Sequence, residues 1–153
     1  ETWSDDPPAA TVSLATNQTA LFTDRWTAID VEPDSRSVWT RGIEFSGPGG
    51  VLPSAHGEGR FVADQALIDE LEASGRVVLR YAEADNFNGS MGRIAGICDS
   101  TGLVLGLMPH PERFTHWTQH PSWTRLDESM RATDPPGLAM FRNAVRHASG
   151  VLA

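Results

Sequence analysis

The stretch "IAGICDSTGLVLGLMPHPER", residues 94 to 113, constrains the fold more than any other: two apolar runs meet at a polar break, and the second is stopped by two prolines. Runs this short, joined at Asp99 to Gly102, predict a β-hairpin over residues 94 to 108. Pro109 and Pro111 fix their own φ and push Met108 and His110 toward extended conformations, so the backbone leaving the second strand is stiff. His110 is therefore held rather than free. In an extended segment residues two apart project to one side, which predicts that His110 and Glu112 meet. A carboxylate that accepts from one ring nitrogen fixes the tautomer and leaves the other nitrogen to act as a general base. Taken alone, the tripeptide "HPE" is better explained as an ordinary loop histidine.

The rest of the chain reads as short strands with few helices, so the class is α/β or α+β. "DRWTAIDVE", residues 24 to 32, alternates as a strand. "SGPGGVLPSAHGEGRF", residues 46 to 61, holds five glycines and two prolines and reads as a loop followed by short extended pieces. "DQALIDELEASG", residues 64 to 75, places Leu67, Ile68 and Leu71 at helical spacing between a possible N-cap, Asp64, and a stop at Gly75. "RVVLRYAE" follows as a strand, and "DNFNGS" breaks the pattern. "GLAMFRNAVRHA" carries Leu138, Phe141 and Val145 at helical spacing, which predicts a closing helix that packs these three on the sheet. No internal repeat or low-complexity tract is present.

At 153 residues the default is one domain with a real core. Twenty acidic residues against twelve basic ones, with no Lys/Arg cluster, argue against a nucleic-acid or anionic-membrane partner. The lone cysteine, Cys98, has no internal disulfide partner, and no apolar leader or long apolar segment is visible. The expectation is a soluble, cytoplasmic protein. The opening "ETWSDDPPAA" is neither a leader nor a domain start, which suggests a piece of something longer. Trp3, Trp26, Trp39, Trp117 and Trp123 follow no stacking period and are assigned to core and loop packing. A metal cluster of His110, Glu112, His116 and His120 is disfavoured, since Pro121 and the polar "THWTQH" point to a loop rather than a helix. His56 and Glu58 admit two readings: a second acid/base pair, or a glycine-rich turn in which Gly57 and Gly59 let backbone amides approach a ligand.

Residues 86 to 113, "NFNGSMGRIAGICDSTGLVLGLMPHPER", together with "AHGEGRF" at 55 to 61, resemble the glutaminase subunit of phosphoribosylformylglycinamidine synthase, a class I glutamine amidotransferase. The likeness extends to "TQHPSWTR" and "LAMFRNAVR", and more loosely to "FTDRWTAIDVE". Phe87 stands where the family's pattern has proline. The resemblance implies an α/β, flavodoxin-like parallel sheet, with residues 1 to 153 forming a single partial amidotransferase domain whose N-terminal half, with the nucleophile elbow, is missing. It implies that His110 and Glu112 are two members of a Cys-His-Glu triad, and that Ser54, Ala55, His56, Gly57 and Glu58 lie at the glutamine pocket. No metal or cofactor is implied for this chain. ATP and Mg²⁺ belong to the synthetase subunit, the implied protein partner, which aminates formylglycinamide ribonucleotide in purine biosynthesis. Arg113 either anchors the triad loop, faces that partner, or makes a surface salt bridge.

The third triad member is not evident. The family's nucleophile lies upstream of the matched region, and no cysteine precedes Cys98. In the predicted hairpin Cys98 lies opposite Leu103, seven positions before His110, roughly 20 Å away at about 3.3 Å per residue. No helix follows to lower its thiol pKa, so Cys98 reads as a small buried hydrophobe. Two functions remain: the glutaminase component without its nucleophile, predicted inactive alone, or a non-catalytic truncated or degenerate module that only docks on the synthetase.

Overall fold

The computed structural model describes residues 9–150. Ten elements follow in chain order: β1 (Val12–Thr16), β2 (Thr23–Val31), β3 (Val51–His56), β4 (Glu58–Ala63), α1 (Gln65–Ala73), β5 (Val77–Tyr81), β6 (Ile94–Cys98), β7 (Leu105–Leu107), α2 (Glu128–Arg131) and α3 (Pro136–Ala148). Between them run several 3₁₀ turns, of which Pro111–Arg113 matters most for the site. Trp3 and most of the opening stretch lie outside the described residues.

Five strands form one sheet in the order β3-β2-β5-β6-β7, and β1 pairs with β4 in a second, two-stranded sheet. Every pairing is antiparallel. This corrects the expected parallel sheet for the described residues. A parallel pair needs a crossover that returns to the same sheet. The one helix lying between strands, α1, instead joins β4 to β5, which belong to different sheets. The chain is α/β in content, but its sheet is built from hairpin-like returns.

The predicted hairpin forms with a different register. Cys98 faces Leu105 rather than Leu103, and the connection spans 99–104. Asp99 accounts for the shift: its carboxylate accepts from the backbone N–H groups of Leu103 and Val104 at 3.1 Å each and from the Thr101 hydroxyl. A side chain that satisfies the turn's own donors widens the turn and removes Leu103 from the ladder. Those hydrogen bonds, the Thr101 one foremost, hold the Asp99 carboxyl below its usual pKa.

Helix α1 matches its prediction. Ile68 and Leu71 are buried with Phe61, Val77 and Ile94 in a core between the small sheet and the large one. The larger core joins Ile29, Leu52, Leu79 and Tyr81 to Phe114 and Met140. Here the expected face of the last helix is corrected: Val145 is 64 % exposed, and the buried positions of α3 are Pro136, Gly137, Met140 and Asn143. Asn143 is buried because its side-chain amide donates to the carbonyls of Trp39 (3.2 Å) and Arg41 (2.8 Å). A polar residue that ties down a loop takes the place on the inner face that periodicity gave to an apolar one.

The described tryptophans pack as expected. Trp26 and Trp117 meet the buried Phe114 ring edge-on, with centroids 4.9 and 5.4 Å away. The indole N–H groups of Trp39 and Trp117 donate to Leu103 and Thr133 carbonyls, and Trp123 stays partly exposed. Phe114 follows the turn that carries Glu112, so this cluster anchors that turn to the core.

Candidate active site

His110 and Glu112 do meet. The His110 ring Nδ1 lies 2.8 Å from a Glu112 carboxylate oxygen, and both side chains are partly exposed. The means differs from the extended segment inferred from the prolines. His110 caps a 3₁₀ turn over Pro111–Arg113, in which Arg113 N–H donates to the His110 carbonyl and Phe114 N–H to that of Pro111. Proline at the first position of a turn loses no needed donor and arrives with the right φ. The carboxylate accepts from Nδ1–H, leaving Nε2 as the free basic nitrogen.

Three contacts fix this turn. The His110 N–H donates to the Pro53 carbonyl at 2.6 Å, which lashes the turn to edge strand β3. Phe114 is fully buried in the aromatic cluster. On the third side α3 comes so close that a Cβ on Gly137 would lie 2.1 Å from the Pro111 carbonyl oxygen and 2.4 Å from that of Phe114. Arg113 makes a loose surface pair with Asp24, 3.8 Å apart, which ties the turn to β2 and adds little energy. His110 and Glu112 open onto a pocket of ≈ 250 Å³ bounded by Leu105 and Leu107 of β7, Met140 and Phe141 of α3, and Trp39. A base at the mouth of a small apolar pocket suits a small ligand.

The segment Ser54 to Glu58 is not one loop. Ser54, Ala55 and His56 end β3, Gly57 turns the corner, and Glu58 starts β4 in the other sheet. Ser54 is fully buried with its hydroxyl unpartnered, His56 is 6 % exposed, and Glu58 points to solvent. His56 and Glu58 therefore do not form an acid/base pair. The corner's carbonyls are occupied: Gly57 accepts from Asn17 N–H (2.8 Å), His56 from the Asn17 side-chain amide (2.8 Å) and Gly59 from the Asn88 side-chain amide (2.9 Å). Gly59 is required by its neighbour, since a Cβ there would fall 2.3 Å from the His56 ring. The second glycine of "HGEG" thus makes room for the first residue of the motif.

Desolvation by burial, reinforced by the nearby His110, lowers the His56 pKa. Asn17, which holds His56, was not singled out from sequence, and nothing local to residue 17 announces a partner 39 positions away.

Cys98 lies in β6, is buried, and has its pKa raised by that burial first and by Asp99 second. It pairs with Leu105, five residues before His110, about 16 Å of extended chain at about 3.3 Å per residue. A buried, un-ionised thiol at that remove cannot serve His110 as nucleophile. His116 and His120 are likewise not gathered with His110. His120 is buried against Trp26 and Phe114 and accepts from Ser122 N–H, while His116 heads a turn closed by Gln119.

Comparison with known proteins places the chain in a family. A model of the CobB/CobQ-like glutamine amidotransferase domain matches residues 3–148. The chain belongs to this amidotransferase family. Among curated relatives it is similar to phosphoribosylformylglycinamidine synthase subunit PurQ of Dehalococcoides mccartyi, 36% identical over 92% of this chain and 54% of that protein. It is also similar to PurQ of Nostoc sp., 50% identical over 66% of this chain and 44% of that one. A solved structure of PurLQS from Thermotoga maritima superposes with a TM-score of 0.61 at 30% identity, over 88% of this chain and 52% of that one. This amidotransferase chain thus spans about half the length of the relatives it matches.

Proposed function

We propose that this chain is the base-bearing part of the glutaminase component of phosphoribosylformylglycinamidine synthase, which supplies ammonia from glutamine for ATP-dependent amination of formylglycinamide ribonucleotide. One observation carries the reading: in a glutamine amidotransferase domain, His110 is braced by Glu112 at 2.8 Å on a turn pinned from three sides. The partner is a synthetase subunit, which holds ATP and Mg²⁺, and the setting is the cytoplasm. Among the described residues no helix is long and apolar enough to cross a membrane.

The missing nucleophile belongs to the rest of a flavodoxin-like domain, of which this chain is one part. Among the described residues β7 is the last strand of its sheet, and this edge supports the assignment. Leu103 and Val104 are exposed beside it, and an apolar pocket of ≈ 300 Å³ runs between Leu107, Ile97, Val12 and Leu14. Such an edge and such a surface favour further strands.

In the complete protein a cysteine thiolate attacks the carboxamide carbon of glutamine. His110 Nε2 takes the thiol proton and returns it to the departing nitrogen, which leaves as ammonia. Glu112 holds the ring in the tautomer that exposes Nε2 and stabilises the imidazolium formed between the two transfers. Water then releases glutamate from the thioester by the same route. Glu112→Gln should lower glutamine-dependent turnover by about tenfold to a thousandfold, less than loss of the ring itself, because an amide still orients the imidazole but stabilises its charge poorly. The direct test combines the complete protein, the synthetase subunit, glutamine, ATP and formylglycinamide ribonucleotide. Amidine product is expected, and its absence with an intact nucleophile would sink the reading.

The isolated chain should release no glutamate from glutamine, because it lacks a positioned thiol. Sustained hydrolysis that disappears in Cys98→Ala would show that the β6 geometry misplaces the thiol. Hydrolysis that survives the substitution would show that no thiol is needed.

A further inference from the structure

The pocket that His110 and Glu112 open onto has one wall that comes from far away in the chain: Trp39, in the link between β2 and β3. This residue belongs to no strand or helix, so its place is fixed by individual contacts. The indole N–H donates to the Leu103 carbonyl at 2.8 Å. The Trp39 carbonyl, with that of Arg41, accepts from the buried Asn143 amide at 3.2 and 2.8 Å. The Trp39 and Phe141 rings meet edge-on, centroids 6.1 Å apart at 80°. One residue earlier, the Val38 N–H donates to the Gly102 carbonyl at 3.1 Å, and Val38 is itself buried. Gly102 and Leu103 lie in the turn that leads into β7, whereas Phe141 and Asn143 lie in α3. The ring is therefore fastened to elements on either side of the catalytic turn, and its position relative to His110 is set.

What this wall offers a ligand is restricted. Its indole N–H is engaged with Leu103, and the side chains of Leu105, Leu107, Met140 and Phe141 supply only apolar surface, so His110 and Glu112 are the polar side chains left at the border of the pocket. A charged ligand group pressed against the apolar side would lose its water and find no partner, which is strongly unfavourable. An uncharged hydrocarbon segment fits there. Trp39 and Phe141 are only partly buried, so both still have ring surface to give. Glutamine carries a zwitterionic head, a methylene stem and a carboxamide. The carboxamide is the part that reacts at His110, and the head needs charged partners, which leaves the stem to lie along the indole.

We propose that Trp39 is a specificity-determining residue, whose ring packs against the methylene stem of glutamine and sets how far the carboxamide reaches toward His110, and that Asn143 is the positioning residue that holds this ring in place. The inference rests on the proposed glutaminase reading for the identity of the ligand. Asparagine carries the same head and the same carboxamide on a stem one methylene shorter, so it is the amide that such a wall rejects. A single methylene in an apolar pocket is worth about 10–200-fold in discrimination.

The test uses the complete protein with its synthetase subunit, and measures kcat/KM for glutamine together with calorimetric affinities for glutamine and asparagine. Trp39→Ala should lower kcat/KM and affinity for glutamine about tenfold to a hundredfold and leave the affinity for asparagine nearly unchanged, so that the preference between the two narrows. General damage to the fold would weaken both amides alike. Trp39→Phe, which keeps a flat apolar ring, should recover most of the preference and carries the test if Trp39→Ala does not fold: it must bind glutamine better than Trp39→Leu does. Asn143→Leu, of similar size but without donors, should narrow the preference as well. Because Asn143 acts through the ring, Asn143→Leu should add nothing to the loss of preference in a Trp39→Ala background, even where it lowers the urea midpoint further. Additive losses overturn the role of Asn143. A lowered urea midpoint in Trp39→Ala with an unchanged preference would mean that the indole packs on the missing half of the domain, and overturns the role of Trp39. A complete protein that binds no glutamine sinks the glutaminase reading and this inference with it, whereas equal glutamine binding with and without Trp39 overturns this inference alone.

Discussion

His110→Ala in the complete protein is expected to lower glutamine-dependent synthesis by about a thousandfold or more, while ammonia-dependent synthesis on the synthetase subunit stays nearly intact. The asymmetry follows from where the residue acts. On the proposed reading, only release of ammonia passes through His110. The ring is 36 % exposed, whereas the turn that carries it is held by the Pro53 carbonyl through the backbone and by buried Phe114. Removing the imidazole deletes the base without removing an anchor, so folding and docking should survive. Parallel assays with glutamine and with ammonium chloride, on the same preparation, check this. Equal loss of both activities would make His110 a structural or interface residue, and the ordinary-loop explanation of "HPE" would then be correct.

The parts of this site that were legible in the sequence are those whose cause is local. Proline restricts its neighbours whatever the tertiary context, so a braced His110–Glu112 pair could be read from four adjacent residues, although the brace is a 3₁₀ turn and not an extended strand. Helix α1 could be read because its spacing and its ends agree. What failed depended on distant partners. Val145 has the right period to be buried, yet Asn143 occupies the inner face because loop carbonyls at Trp39 and Arg41, about a hundred residues earlier, need donors. The hairpin register moved by two because Asp99 caps its own turn. Asn17 gave no signal, since its role exists only where the turn after β1 meets the corner between β3 and β4. The parallel sheet was an inheritance from the family resemblance and not a reading of these residues. Only the hairpin of β6 and β7 announced an antiparallel pair through its own turn; the partners of β2, β4 and β5 are set by contacts distant in the chain.

Gly137 carries the second large effect, and there two physical terms oppose each other. By helix propensity alone, Gly137→Ala at the start of α3 should stabilise the protein by up to about 1 kcal/mol. The new Cβ, however, would lie 2.1 Å from the Pro111 carbonyl oxygen and 2.4 Å from that of Phe114. Neither atom is the end of a flexible side chain; both belong to the backbone of the turn that holds Glu112. Relief requires α3 or the turn to move by about an ångström, and overpacking of this kind typically costs about 1–3 kcal/mol. The clash should win, lowering the urea midpoint of the complete protein. Activity should fall further than stability, since the turn that must yield is the one that sets the 2.8 Å contact between His110 and Glu112, and a displacement of about 1 Å can cost about a hundredfold in rate. Gly137→Val should worsen both effects. A raised midpoint with full glutamine-dependent turnover in Gly137→Ala would mean that propensity prevails and that α3 does not press on the site.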